Sequence, residues 1–304
     1  MKLKSTSIHN INADRPLNNI EKFLYRILNV VNNLWTYRQV DQDLQLEQFN
    51  VNNLEVYWNQ SALNSSPSRK LSDLFWMNLS WDLIQDELGE IRLMDMGCGS
   101  GNYSWRLNDW SKGKITEYLG IDNRENKNWQ SLQQQYPNFK FFQLSSEYFI
   151  DKIPNNINFF MSQSAIEHFE QDLLYFEQIK NYILQSDRAN IIQVHLFPSA
   201  ACNSTYLYHG VRQYTPRTVS KITTLFKDFS DCILFSLGGK FCNQLHYRTI
   251  TLPVLKKMER LDTSQPKEYE KMLFSSIEKD MNIFQRYPAF YALVIHSNGT
   301  QKLF

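Results

Sequence analysis

Three glycines fall at alternate positions in "LMDMGCGSGNYSWRL", residues 93–107: Gly97, Gly99 and Gly101, in a chain with 10 glycines among 304 residues. They follow an apolar run ending in Asp95 and precede a segment with helical apolar spacing. A strand, a carboxylate, a glycine turn and a helix make a cradle for a ligand. Glycine lets the ligand approach the backbone, and the helix start offers unpaired N–H groups with positive dipole character. The spacing narrows the choice. A dinucleotide fingerprint places its third glycine three positions beyond the second. That position is Asn102 here, and the glycine comes early. No Gly-Lys-[Ser/Thr] follows, so the turn is not a P-loop. Asp95 ahead of the turn would repel a pyrophosphate and suits a cationic ligand.

Histidine is the side chain suited to removing a proton near neutral pH. The chain has six: His9, His168, His195, His209, His246 and His296. His9 falls in a tail expected to be mobile, and His246 and His296 lie late, without motif context. His195, in "IIQVHLFP", stands near the C-terminal end of a predicted strand, where open α/β sheets place their ligands. A hydrogen-bonded core histidine is the equally open alternative. His168 either contributes to a site or braces the start of a helix. "YLYHGVRQYTP", residues 206–216, gathers Tyr208, His209, Arg212, Gln213 and Tyr214 on one predicted loop. Aromatic faces with Arg and His recognise sugars, aryl groups or carboxylates, which makes Tyr208, Arg212 and Tyr214 candidate substrate contacts. A packed and capped loop is the alternative.

The elements that must position these residues follow from texture. Apolar runs at 91–96, 117–121, 139–144, 157–162, 190–197, 231–237 and 289–295 read as strands. Helical spacing at 102–110, 125–135 and 171–185 fills three of the gaps, whereas 145–156 has room for a turn of helix only. Strands alternating with helices indicate parallel βαβ units covered on both faces. Upstream, Leu17, Ile20, Leu24, Ile27, Leu28, Val31, Leu34 and Trp35 give residues 17–35 one apolar helical face. Residues 59–70 read as a loop, and 71–88 as a helix stopped by Gly89. Between 254 and 286, Tyr269, Met272, Leu273, Ile277, Met281 and Phe284 outline a helix that either covers a site or caps the sheet.

"LMDMGCGSG" resembles the first motif of class I S-adenosylmethionine-dependent methyltransferases, an acidic residue followed by G-x-G-x-G. The resemblance spans roughly residues 90–245 and the final strand "PAFYALVIHS". It implies a Rossmann-like methyltransferase fold: a seven-stranded, mostly parallel sheet with an antiparallel last strand and helices on both faces. A helical extension or cap (1–89) would precede the methyltransferase domain (90–304), which holds the helical insertion at 254–286. The glycine turn, with Cys98, would wrap the methionine part of the cofactor, supported by Asp95. Asp122, closing "EYLGID", would hold the two ribose hydroxyls, as one carboxylate supplies an acceptor pair for a diol. Ser145 and Ser146 stand where many members place an Asp against the adenine. "NFFMSQSAIEHFE" resembles the fourth motif and implies that Ser162 and Gln163 line the pocket, with Glu167 and His168 just behind. Some quinone-type O-methyltransferases carry E-x-x-E-H there, associated with a metal; Ser164 replaces the first position here, and no metal is expected. "YWNQSALNSSPSRKLSDLFW" looks like the segment that closes over the cofactor, where Arg69 would pair with its carboxylate. The "HG-x-RQY" element looks like those of bacterial methyltransferases found with surface-polysaccharide enzymes.

The expected reaction is methyl transfer, to oxygen rather than nitrogen or carbon, with His168, His195 and His209 as candidate bases. The acceptor is a small molecule or a glycan. A protein or RNA methyltransferase is the competing enzyme, and a non-catalytic cofactor-binding module the competing non-enzyme. Lys+Arg 32 against Asp+Glu 31 leaves a net charge of +1 and no electrostatic footprint for nucleic acid. The absence of an N/D-P-P-[F/Y] tetrapeptide after the fourth strand argues against the usual amide or base N-methylation pattern. Cys98, Cys202, Cys232 and Cys242 show neither CxxC pairs nor metal spacing, which suggests reduced thiols and a cytoplasmic protein. No run approaches the length of a membrane span. The expected state is a monomer or homodimer.

Overall fold

Side chains of neighbouring residues on a strand point to opposite faces, so a strand covered on both sides needs apolar residues without interruption. The computed structural model describes residues 4–186 and 190–303, and all seven apolar runs form strands in it. An eighth, unforeseen, precedes them. The strands are β1 (Leu44–Gln48), β2 (Ile91–Met96), β3 (Ile115–Asp122), β4 (Phe139–Gln143), β5 (Phe159–Gln163), β6 (Ile191–Pro198), β7 (Ser230–Leu237) and β8 (Phe290–Ser297). Among the described residues they make one sheet in the order β1-β7-β8-β6-β5-β2-β3-β4. Only β8 runs antiparallel, to β6 and β7 on either side. Pairs such as Leu93/Met94, Phe159/Phe160 and Val294/Ile295 divide between two apolar clusters, one on each face. The chain runs outward from β2 to β4 and returns to β5, so the crevice opens at the C-terminal ends of β2 and β5.

The helices follow the expected positions with three departures. Ser66 caps a helix whose first residue is Pro67, so Pro67–Met77 begins inside the stretch read as a loop. The single helix expected over 71–88 is two, Pro67–Met77 and Trp81–Leu88, and Gly89 ends the second at φ +71°. The third departure is at the N-terminus. Helix α1 (Asn19–Asn33) has an Asn18/Glu21 capping box, but it buries Tyr25, Asn29 and Asn32 and leaves its apolar face exposed. The helix Pro266–Met281 buries Tyr269, Leu273, Ile277 and Met281 in one of the core clusters and so packs as a cap.

The segment before α1 is not a loose tail. Thr6 donates from both its backbone N and its hydroxyl to Asp172, Lys221 donates to the Thr6 carbonyl, and Ala13 N donates to Gly210 O at 2.8 Å. His9, expected in a mobile tail, is buried with its ring edge-on to Tyr25. This strapping brings residues 12–14 to the crevice.

Candidate functional site

The glycine turn is built over the end of β3. Gly97 N and Cys98 N both donate to the Ile121 carbonyl, at 2.7 and 3.0 Å. Gly97, Gly99 and Gly101 all take positive φ, between +54° and +83°, where other residues are strained. They are not equivalent. A Cβ at Gly97 would stand 2.3 Å from the Ala165 Cβ and one at Gly101 2.6 Å from Leu132, whereas one at Gly99 would meet nothing within 4 Å. The first and third glycines permit packing; the second leaves open space. Gly99 N donates to Asp122 Oδ2 at 2.9 Å and Arg124 N to Oδ1 at 3.1 Å, so the carboxylate at the end of β3 is aimed by two backbone bonds.

A cleft of about 530 Å³ opens here, lined by Gly97, Asp122, Ser145 and Ser146 together with Asp14, Ser164 and His168. Ser164 sits at the end of β5 with φ +52°, the left-handed region, in the wall of this cleft. Non-glycine residues held there mark sites where the surroundings over-determine the backbone. Asp95 lies beneath, buried, with Oδ2 accepting from the Tyr118 hydroxyl at 2.6 Å and Oδ1 without a partner. Burial pushes its carboxyl up to about 7; the Tyr118 bond opposes this and the charge of Asp122 adds to it. Cys98 is buried, and burial pushes its thiol well above the usual range.

Four polar side chains from three separate segments converge beside the cleft, and two of them, Asp14 and His168, line it. Asp14 Oδ2 lies 2.5 Å from His168 Nδ1, and its Oδ1 accepts from Gly210 N at 3.1 Å. Glu167 Oε1 lies 3.8 Å from His168 Nε2 and 3.6 Å from His209 Nε2. The two imidazoles meet edge to face at 4.6 Å. The Glu167 side chain is fully buried, and neither carboxylate oxygen has a hydrogen-bond partner. Burial alone would depress the His168 imidazolium. The Asp14 bond, with the charges of Glu167 and Asp14, outweighs burial and raises it. Asp14, His168 and His209 each offer a donor atom within 4.8 Å of the others, a spacing that could hold a cation. Asp14 was missed by sequence reasoning; it carries no local motif and arrives only through the strap.

Other expected residues are spent elsewhere. His195 is fully buried between Tyr175 and Phe176, with Nδ1 2.9 Å from the Ser162 hydroxyl. Burial pushes it down to about 3, so it is a neutral core histidine, not a base at the cleft. Ser162 is thereby turned inward, and Gln163 accepts from Trp76 Nε1 at 2.9 Å and donates to Ser72, tying the helix Pro67–Met77 to β5. Neither lines the cleft. Arg212 is fully buried and donates to the carbonyls of Ile166, Phe169 and Glu170 and to the Ser5 hydroxyl. Tyr214 is buried too, its hydroxyl donating to Asp172. Both brace the loop and are unavailable to a substrate. Tyr208 remains half-exposed, tilted against the ring of Tyr25 and under the Arg26 guanidinium. The Arg69 guanidinium lies 5.2 Å over the ring of Tyr103, on the helix that follows the glycine turn.

A scan of family models finds no match, and a comparison with curated proteins finds no relative in sequence. Solved structures are similar in fold at low identity. The plantazolicin methyltransferase BamL, in complex with a triazolic desmethylPZN analog and SAH, is 14% identical with a TM-score of 0.48, over 91% of this chain and 97% of its own. A 1,6-didemethyltoxoflavin-N1-methyltransferase of Burkholderia thailandensis is 9% identical with a TM-score of 0.40, over 93% and 92%. An rRNA methylase of Streptococcus thermophilus is 11% identical with a TM-score of 0.40, over 72% and 94%.

Proposed function

We propose that this chain, whose sheet order and antiparallel β8 give it the Rossmann-like methyltransferase fold, is an S-adenosylmethionine-dependent methyltransferase acting on a hydroxyl of a small molecule or glycan. One observation carries the reading: the Asp122 carboxylate and the glycine turn share a cleft with the Asp14–His168 pair. The residues fit the cofactor. Each Asp122 oxygen takes one backbone N–H and keeps a lone pair, which suits a ribose diol. Ser145 and Ser146 supply hydroxyls for the adenine edge. Open space at Gly99 suits a close approach by the methionine end, with Asp95 beneath the turn supporting the loop. Arg69, beside the helix that follows the turn, would pair with its carboxylate. When bound, S-adenosylmethionine supplies an electrophilic methyl group on a sulfonium.

The protein's share of the chemistry is to place the acceptor and take its proton. With Nδ1 of His168 committed to Asp14, Nε2 is the nitrogen left to accept it. Asp14 and Glu167 then stabilise the imidazolium that forms. His209, whose ring meets that of His168, would contact the acceptor with Tyr208. Calorimetry with S-adenosylmethionine and with NAD tests the cofactor, and tighter NAD binding would sink the reading. Mass spectrometry of metabolites and glycans gaining a methyl group identifies the acceptor.

A second reading is favoured by the spacing of Asp14, His168 and His209, in which a divalent cation held there would lower the acceptor hydroxyl's pKa. Chelation followed by Mn²⁺ addition separates the two readings: turnover lost and restored requires the metal, and unchanged turnover leaves His168 as the base.

A further inference from the structure

Helix α1 (Asn19–Asn33) is amphipathic in the reverse sense for a surface helix of a globular protein. The side it turns to the protein carries Tyr25, Asn29 and Asn32, all buried. These are held by polar bonds: Tyr25 Oη donates to His209 O at 2.6 Å, Ile8 N donates to Asn32 Oδ1, and Arg217 donates to Asn32 O at 2.7 Å. The opposite side carries Ile20, Phe23, Leu24, Ile27, Val30 and Val31, continued by Leu34 and Trp35, and all eight are exposed. At 3.6 residues per turn they share an arc of roughly 140°. Tyr37 extends the surface past the helix end. Its hydroxyl donates to Arg286 O at 2.7 Å, bringing the exposed Ile283, Phe284 and Tyr287 alongside. Isolated exposed apolar residues are ordinary; a contiguous stripe on one helix marks something that covers it.

Charge selects the occupant. Between residues 15 and 38 the charged groups are Arg15, Lys22, Arg26 and Arg38 against Glu21 alone, and Glu21 is paired with Arg15. At the adjoining surface Arg286 adds another cation, its guanidinium 5.2 Å from the Tyr37 ring. A second copy of the chain docked on this stripe would bring like charges together. An anionic phospholipid surface complements them and accepts Phe, Trp and aliphatic side chains at the level of its headgroups. Among the described residues no helix is long and apolar enough to cross a membrane, so α1 would lie on one. We propose that the outward stripe of α1 docks this protein on an anionic lipid surface. The proposal concerns α1 alone and stands or falls apart from the methyl-transfer reading.

The test is co-sedimentation of the full chain with phosphatidylcholine vesicles, with and without phosphatidylglycerol. Binding to the anionic vesicles, weakened by salt, is expected. Lys22→Ala with Arg26→Ala should lower the partition coefficient about 25-fold, about fivefold per cation. Phe23→Glu with Ile27→Glu, at exposed positions and with an unchanged circular-dichroism spectrum expected as the control for folding, should abolish it. Binding to neither vesicle, or self-association in solution that Phe23→Glu/Ile27→Glu removes, overturns the proposal.

Discussion

Asp122→Ala offers the sharpest test of the cofactor assignment, because the structure sets both its cost to folding and its cost to binding. The carboxylate holds two backbone donors, Gly99 N and Arg124 N, both at exposed positions where water replaces a lost partner. Folding should therefore lose about 1 kcal/mol or less per bond, which in a chain this large lowers Tm by only about 2–6 °C. Binding should lose more. Each carboxylate oxygen keeps one lone pair for a ribose hydroxyl, and a hydrogen bond to a charged group contributes about 1.5 kcal/mol at the low end. Two such bonds amount to about 3 kcal/mol, or roughly 150-fold in Kd. Titration calorimetry with S-adenosylmethionine reads this directly, alongside a thermal melt of the variant. A Kd within about threefold of the parent, with the small Tm loss observed, would remove Asp122 from the ribose role and the cofactor from this end of the sheet.

Three further outcomes follow from the site. For His168 to act as a base it must be neutral, and its anionic neighbours raise its pKa. The rising limb of kcat/KM against pH should thus lie above the ordinary imidazole value, and Asp14→Asn should move it to lower pH; an unmoved limb would exclude His168. His195→Ala should cost about 2–4 kcal/mol in denaturant unfolding, from the cavity and the stranded Ser162 hydroxyl, while the pH limb of turnover stays in place. Loss of turnover at unchanged stability would show that His195 belongs to the chemistry. Asp95 has a folded pKa of about 7 against an ordinary 3.8. The sign is that of a raised group: its contribution is fully present below the unfolded value and is lost as pH rises through about 7. Relative to Asp95→Asn, the parent should lose on the order of 2–4 kcal/mol between pH ~4 and ~8 in urea unfolding, and a pH-independent difference would contradict the buried, half-partnered carboxyl.

What was legible in the sequence is what sequence neighbours decide. The seven apolar runs were readable because a strand covered on both faces admits little polar interruption, and the glycine turn because its residues act on one another's backbone. β1 escaped because Leu44–Gln48 reads LQLEQ, a short alternation whose only strand partner among the described residues is β7, at the sheet edge. The two helices of 67–88 read as one because their apolar spacing runs through the break, while the break itself comes from Asn78 turning its amide back to the Leu74 carbonyl. The site divides in the same way. Gly97, Asp122, Ser145, Ser146 and His168 were placed by strand ends and do line the cleft. Asp14 pairs with His168 across 154 positions, a separation no local pattern encodes.

Arg212 and Tyr214 show why residue type alone misassigns a role. The short turn Ile166–His168 and the residues after it present the carbonyls of Ile166, Phe169 and Glu170 to one guanidinium. A guanidinium supplies several at once, so Arg212 is consumed there. The consequence is positional. With Arg212 fixing the turn from below, Gly210 is pressed against it at φ +61°, where a Cβ would stand 2.7 Å from the Glu167 carbonyl. Val211 N closes the contact by donating to that same carbonyl at 2.7 Å. Gly210 in turn receives Ala13 at its carbonyl and presents its N–H to Asp14. Arg212 and Tyr214, expected as substrate contacts, thus belong to the frame that brings Asp14, Glu167, His168 and His209 together.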